Sequence, residues 1–209
     1  MSTYFKFIKY FQEFLIVISV FIMMCLPLML VFRTDIMTNN VTLKLYSISH
    51  FFLFFVMAIR PLADIFTENK WIRPLVILRK GTGIFSASIV VSFILSKLMV
   101  DPVLYFKSFG ELRYWSMVNY AVLAHLADIS AIILIVTSNS FSKRVLGDWW
   151  KIIQNLSYVY FYGSVLYVYL SYGNIDLLLA LIVITTLTWT AFVINKKKLI
   201  NNQLIQNTI

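Results

Sequence analysis

An all-α integral membrane bundle of about six transmembrane helices, with both termini cytoplasmic, is the fold class this sequence predicts. Three observations predict it. Sixty per cent of the 209 residues are hydrophobic, only 13% are charged, and the mean hydropathy is +0.82, whereas a soluble domain is about half apolar. The apolar residues gather in six runs, 11–32, 45–59, 83–100, 117–137, 152–172 and 175–194, most of them close to the roughly 20 residues that a bilayer-crossing helix needs. Alternating the loops between two sides divides Lys and Arg 13 to 5, the bias expected of cytoplasmic against external loops.

The first run follows Lys6 and Lys9, as the core of a signal peptide would. It is too long for one, and no small-x-small cleavage site follows, so it reads as a retained first helix. The second is the shortest, with a start as early as Thr42. Arg79, Lys80, Gly81 and Thr82 make a basic, flexible entry to the third. The loop 101–115 carries Tyr105, Phe106, Phe109, Tyr114 and Trp115, which suits an aromatic segment lying at headgroup level or a surface for a partner. After the sixth run come Lys196, Lys197 and Lys198. With one helix fewer these lysines would fall on the wrong side.

The 13 cations of the inner side are Lys6, Lys9, Arg60, Lys70, Arg73, Arg79, Lys80, Lys143, Arg144, Lys151 and the three terminal lysines; Arg33, Lys44, Lys97, Lys107 and Arg113 occupy the other. Spread over short loops, the net charge of +9 marks orientation in the lipid bilayer and argues against nucleic acid as a partner. The single cysteine, Cys25, excludes a disulfide framework, a CxxC pair or a cysteine metal cluster, and no metal site is expected. The whole chain, 1–209, reads as one transmembrane domain with no NAD(P)H or flavin motif.

Several loop motifs stand in a distinctive order: Ile59-Arg60-Pro61-Leu62, then Leu78-Arg79-Lys80-Gly81-Thr82-Gly83, then Thr137-Ser138-Asn139 and Lys143-Arg144-Val145-Leu146-Gly147-Asp148-Trp149-Trp150. Over about 45–194 the pattern resembles the ferric-reductase-like transmembrane domain family, closest to the haem-binding membrane subunit of the bacterial periplasmic methionine sulfoxide reductase system. The resemblance implies a helical bundle in the bacterial inner membrane. It also implies b-type haem between paired histidines, with electrons passed to a membrane or periplasmic redox partner.

The ligands are where this chain departs. The family's histidine positions fall on Phe93 (Ser92 with a one-residue slip), Gln154 and Tyr167. Haem iron takes His, Met, Cys or Tyr, so Phe93 and Gln154 are not expected to ligate. Tyr167 would have to ligate as a phenolate, which is costly in lipid. Gln154 reads better as an interhelical hydrogen-bonding group near the cytoplasmic face. A vacated macrocycle cavity must be filled. The aromatic residues of runs two, three and five, among them Phe51, Phe85, Phe93, Tyr160 and Tyr167, read either as that filling or as lipid-facing side chains.

Ionisable groups inside a span are functional hypotheses by default. Glu13, Lys97 and Asp176 lie near span ends. His50 and His125, the chain's two histidines, lie at comparable depth, and Asp128 shares a helix face with His125. The three are the candidate polar site, with interhelical hydrogen bonding as the alternative. The expectation is a ferric-reductase-like membrane protein without the paired-histidine haem sites, no cofactor expected, acting as scaffold or regulator of a partner. One alternative is an electron-transfer subunit whose b-type haem is relocated to His50/His125 or Tyr167; a second is a small transporter.

Overall fold

The structure is a computed structural model and describes residues 2–117 and 120–207. Among the described residues it is all-helical. Helix α1 (Ser2–Phe32) is followed by α2 (Asn39–Ile65), the short α3 (Ile72–Leu75) and α4 (Leu78–Val100). The segment after α4 then folds as α5 (Pro102–Gly110) and a 3-10 turn (Leu112–Trp115). The remainder comprises α6 (Ala121–Thr137), α7 (Ser140–Leu146), α8 (Trp149–Gln154), α9 (Leu156–Tyr172) and α10 (Ile175–Asn207).

Four stretches are long and apolar enough to cross a membrane: Thr3–Phe32, Asn39–Ile65, Ile72–Val100 and Ile175–Leu199. The bent pair α6–α7, which turns by 96° at Ser138 and Asn139, makes a fifth when taken as one span. The run at 152–172 falls outside this set. Its helix, α9, has 17 residues and six tyrosines, which lower its apolarity and make it about 25 Å long.

Around an apolar core the bundle also buries small hydroxyl residues and exposes large apolar ones. Ser19, Ser86, Ser88 and Ser92 are wholly buried, whereas Phe21 is 66% exposed and Trp189 68%. Apolar side chains face outward because lipid is the solvent, and small hydroxyl residues face inward because they let helices approach and hydrogen-bond. The chain is therefore a multi-pass membrane protein.

Helix α4 is the centre, packed against α1, α2 and α6; α6 packs on α9, and α10 lies against α2 and α9. Its serines and threonine serve this position. Thr82 donates to the carbonyl of Leu78 at 2.8 Å and Ser92 to that of Ser88 at 2.7 Å, so each hydroxyl is satisfied within its own helix while the face stays flat. Two glycines mark the tightest crossings. A Cβ on Gly81 would stand 3.0 Å from the Gln12 backbone carbonyl of α1, and one on Gly163 would stand 3.0 Å from the Leu123 carbonyl of α6.

Several element boundaries differ from the sequence expectation: α1 begins at Ser2, α2 at Asn39, α4 at Leu78 and α6 at Ala121, and α10 runs on to Asn207. Helix α2 continues to Ile65 through Pro61, because proline already has a helical φ and removes a single backbone bond, which a packed transmembrane helix tolerates. The fifth run is divided at Asn155 into α8 and α9, and residues 118–119 of the fourth lie outside the described residues.

The loop 101–115 is itself helical. Asp101 caps α5 by accepting from the Leu104 amide at 2.8 Å, and Pro102 occupies its first turn. Phe109 then gathers Tyr105, Tyr114 and Trp115 around its ring.

At the opposite end the separate basic segments meet. Tyr4 donates to the Trp71 carbonyl at 3.0 Å. Asn195 donates to Asp64 and Lys198 to Thr67, both at 3.4 Å.

Candidate functional site

The three positions that the resemblance assigns to histidine are built into packing. Phe93, on α4, is buried and stacks on Tyr46 of α2, with centroids 4.5 Å apart and planes 12° from parallel. It belongs to a cluster with Leu26 of α1 and Ile89 of α4. Neighbouring Ser92 donates to Ser88 and more weakly, at 3.4 Å, to the Ile22 carbonyl of α1. Gln154, at the end of α8, donates to the Thr137 hydroxyl of α6 at 3.4 Å. Tyr167, on α9, meets Tyr172 edge to face at 6.3 Å.

Tyr46 also lies within electrostatic reach of Tyr160, Tyr167 and Tyr172. Its ring contact is with Phe93. These positions do not fit a haem held by two histidines, because no imidazole stands at them and an aromatic stack fills the α4 side.

The candidate polar site is divided by the fold. His50 Nδ1 lies 2.8 Å from the Tyr46 carbonyl. A carbonyl only accepts, so Nδ1 carries the proton and Nε2 is left with its lone pair. Nε2 is buried without a hydrogen-bond partner, alone in this among the buried side-chain nitrogens and oxygens of the described residues.

His125 instead stacks on Tyr114, with centroids 3.4 Å apart and planes 6° from parallel, and Trp115 stands at its edge. No hydrogen bond, ion pair or ring contact joins it to His50 or to Asp128 among the described residues. Sharing a helix face places His125 and Asp128 near each other without pairing them; the aromatic segment after α4 holds the imidazole.

Asp128 makes no hydrogen bond among the described residues. Lys97 is its electrostatic partner, and it lies within reach of Tyr46, Tyr105, Tyr114 and Tyr160. In the segment after α4, burial and then the neighbours Tyr105 and Asp128 push the Tyr114 phenol up to about 12. Burial and Asp128 raise Tyr105 as well.

Two features escaped the sequence. The first is a buried node of three hydroxyls tying α2, α4 and α9. Ser49 donates to the Ser86 carbonyl at 3.0 Å, and Ser86 donates to the Ser49 carbonyl at 2.9 Å. The Tyr160 hydroxyl is 3.2 Å from Ser86 Oγ and 3.4 Å from Ser49 Oγ. With both serine protons committed to carbonyls, Tyr160 is the donor to the serine oxygens. The signal for it was the run of small hydroxyl residues along α4.

The second is a cavity of about 860 Å³ at the end of the bundle where the basic segments collect. It reaches from Lys80 and Lys143 inward to Tyr160. The sequence held its signal as three basic loops assigned to one side. Compared with models of known protein families, with characterised proteins and with solved structures, the chain matches none.

Proposed function

We propose that this chain is a six-pass membrane protein of ferric-reductase-like architecture, with both termini cytoplasmic in a bacterial inner membrane, which acts as a scaffold or regulator of a membrane or periplasmic partner and not as a haem carrier. The observation that carries this reading is the Tyr46–Phe93 stack, which puts packed aromatic rings at the α4 position where the resemblance requires an imidazole. The hydrogen bond from Gln154 to Thr137 supports it by giving a second such position a structural task. For the topology, α6 and α9 complete six crossings. The contacts of Asn195 with the end of α2, and of Tyr4 and Lys198 with the α2–α3 connection, support an even number, and the clustering of Lys and Arg at that end supports its cytoplasmic placement.

The test is a pyridine haemochrome assay on purified protein, combined with reporter fusions. Far less than one haem per chain is expected, with fusions after Asn39, Val103 and Asn174 outside the cytoplasm and those after Asn69, Lys143 and Lys198 inside. One haem per chain with a low-spin six-coordinate spectrum would overturn the scaffold reading. A cytoplasmic signal at Asn174 would overturn the topology.

One observation favours a second reading, an electron-transfer subunit with a relocated haem. The His50 Nε2 lone pair is buried, unpartnered and held in place through Nδ1, as a haem-ligating imidazole is held. On that reading a Soret band is present and vanishes in His50→Ala.

A further inference from the structure

Arg60, Arg79, Lys80, Lys143 and Lys151 all line the 860 Å³ cavity, and no carboxylate lines it. They come from the end of α2, the start of α4 and the α7–α8 region, so the fold gathers charges that the sequence keeps far apart. The nearby carboxylates stand outside the lining: Asp148 is 4.0 Å from Lys151 at the exposed edge, and Asp64, which accepts from Asn195, lies within electrostatic reach of Arg79.

Arg79 is partly buried and held in place, its Nε donating to the Val56 carbonyl at 3.2 Å. Its Nη groups have no hydrogen-bond partner among the described residues. Arg60 lies within electrostatic reach of it, so two guanidinium groups share one end of the cavity, while the nearby Asp64 is hydrogen-bonded to Asn195 and to neither of them. Such an arrangement is unfavourable unless an anion joins it.

The rim is ordered as well. Trp150 donates from Nε1 to the Thr137 carbonyl at 2.9 Å, and Lys143 Nζ sits 5.3 Å over its ring. Deeper in, the lining changes character to Leu53, Val56, Ala87 and Leu134. The mouth is cationic and the interior apolar, and the volume lies within the range of about 300–1,000 Å³ typical of ligand sites. A free phosphate would leave the apolar depth unfilled. A neutral lipid would leave the guanidinium groups unmatched.

We propose that this cavity binds one anionic phospholipid, its phosphate held by Arg60, Arg79, Lys80 and Lys143 and its glycerol and upper acyl carbons lying along Leu53, Val56 and Leu134. Guanidinium groups suit the phosphate because they offer paired donors, and basic pockets between helices on the cytoplasmic side recognise anionic headgroups generally.

The test is native mass spectrometry of the full chain, delipidated in neutral detergent and titrated with phosphatidylglycerol or phosphatidylcholine. One phosphatidylglycerol per chain should survive collision energies that strip phosphatidylcholine. Arg60→Gln with Arg79→Gln should lower that occupancy at least tenfold. Lys6→Gln with Lys9→Gln, which removes equal charge from the same end but outside the cavity, should leave it unchanged. Should the arginine pair fail to fold, Lys80→Gln with Lys143→Gln, both exposed side chains, should give a loss of severalfold. Equal retention of the two lipids, or equal losses in the cavity variants and the Lys6/Lys9 control, would overturn the proposal. So would displacement of phosphatidylglycerol by millimolar inorganic phosphate or ATP, which would assign the site to a soluble anion.

Discussion

Tyr46 and Phe93 lie ring on ring, 4.5 Å apart and 12° from parallel, and join α2 to α4 at the position where a ferric-reductase-like chain would carry a haem ligand. An imidazole placed at residue 93 would meet the Tyr46 ring before it met a porphyrin.

Restoring histidines alone should therefore not restore haem. Phe93→His with Tyr167→His is expected to show no gain in the haem-to-protein ratio, whereas the same pair with Tyr46→Ala should show a gain, because truncation opens the space. Phe93→Ala by itself should cost about 3 kcal/mol through lost burial and the void it leaves, read as reduced resistance to denaturation in detergent. Haem uptake by the double variant with Tyr46 intact would show that the stack is no barrier.

His125 should be coupled to Tyr114 and not to Asp128. A double-mutant cycle of His125→Ala with Tyr114→Ala is expected to give a coupling of about 0.5–1.5 kcal/mol, the range of stacked ring pairs. The cycle of His125→Ala with Asp128→Asn should give a value near zero. The opposite ranking would restore the imidazole–carboxylate pair that the sequence suggests.

Alkaline titration reports on the same aromatic segment. Folding raises the Tyr114 phenol above its ordinary value of 10 to about 12, chiefly through burial, so the folded state holds that proton more tightly than the unfolded one. Its contribution to stability is whole below pH 10 and is lost as the pH rises through 12. The difference in phenolate absorbance between the unmodified protein and Tyr114→Phe should show a midpoint near 12, and a midpoint at 10 would place the ring in water.

The hydroxyl node and the α6–α9 crossing should differ sharply in tolerance. Tyr160→Phe removes a donor whose acceptors are two serines still bonded to carbonyls, so its cost should be near 0.6 kcal/mol, the average for intramembrane hydrogen bonds. Gly163→Ala drives a methyl group to 3.0 Å from the Leu123 carbonyl, a backbone atom that cannot turn aside, and should cost about 1–3 kcal/mol. Equilibrium unfolding of both variants in the same detergent would rank them.

The helical membrane class and the gathering of basic loops at one end were legible from the sequence, since both follow from where apolar runs stop and cations collect. What it could not supply was which helix faces meet. In lipid, both the packed and the solvent-facing sides of a helix are apolar, so the periodicity that exposes a soluble core is muted. Phe21 and Phe93 look alike in the sequence, yet one is 66% exposed and the other 8%. For the same reason His125 pointed to Asp128, its helix neighbour, when its ring partner was Tyr114 on another element. The second run, read as ending at residue 59, is also longer in the structure. Pro61 reads as a helix end in water, whereas α2 passes through it to Ile65.

The close crossing at Gly163 also bears on how the chain enters the bilayer. Helix α9, with its six tyrosines, is less apolar than α6, which carries Ile132, Ile133, Leu134 and Ile135. Because the α9 backbone fits directly against α6, the earlier helix offers the later one a surface to fold upon as it leaves the translocation machinery. On the proposed six-crossing topology, insertion of α9 would then depend on α6 being in place. A chain widened at residue 163 should accumulate a form with the tyrosine-rich segment left outside the membrane, open to protease, well before any loss of stability in the finished bundle is seen.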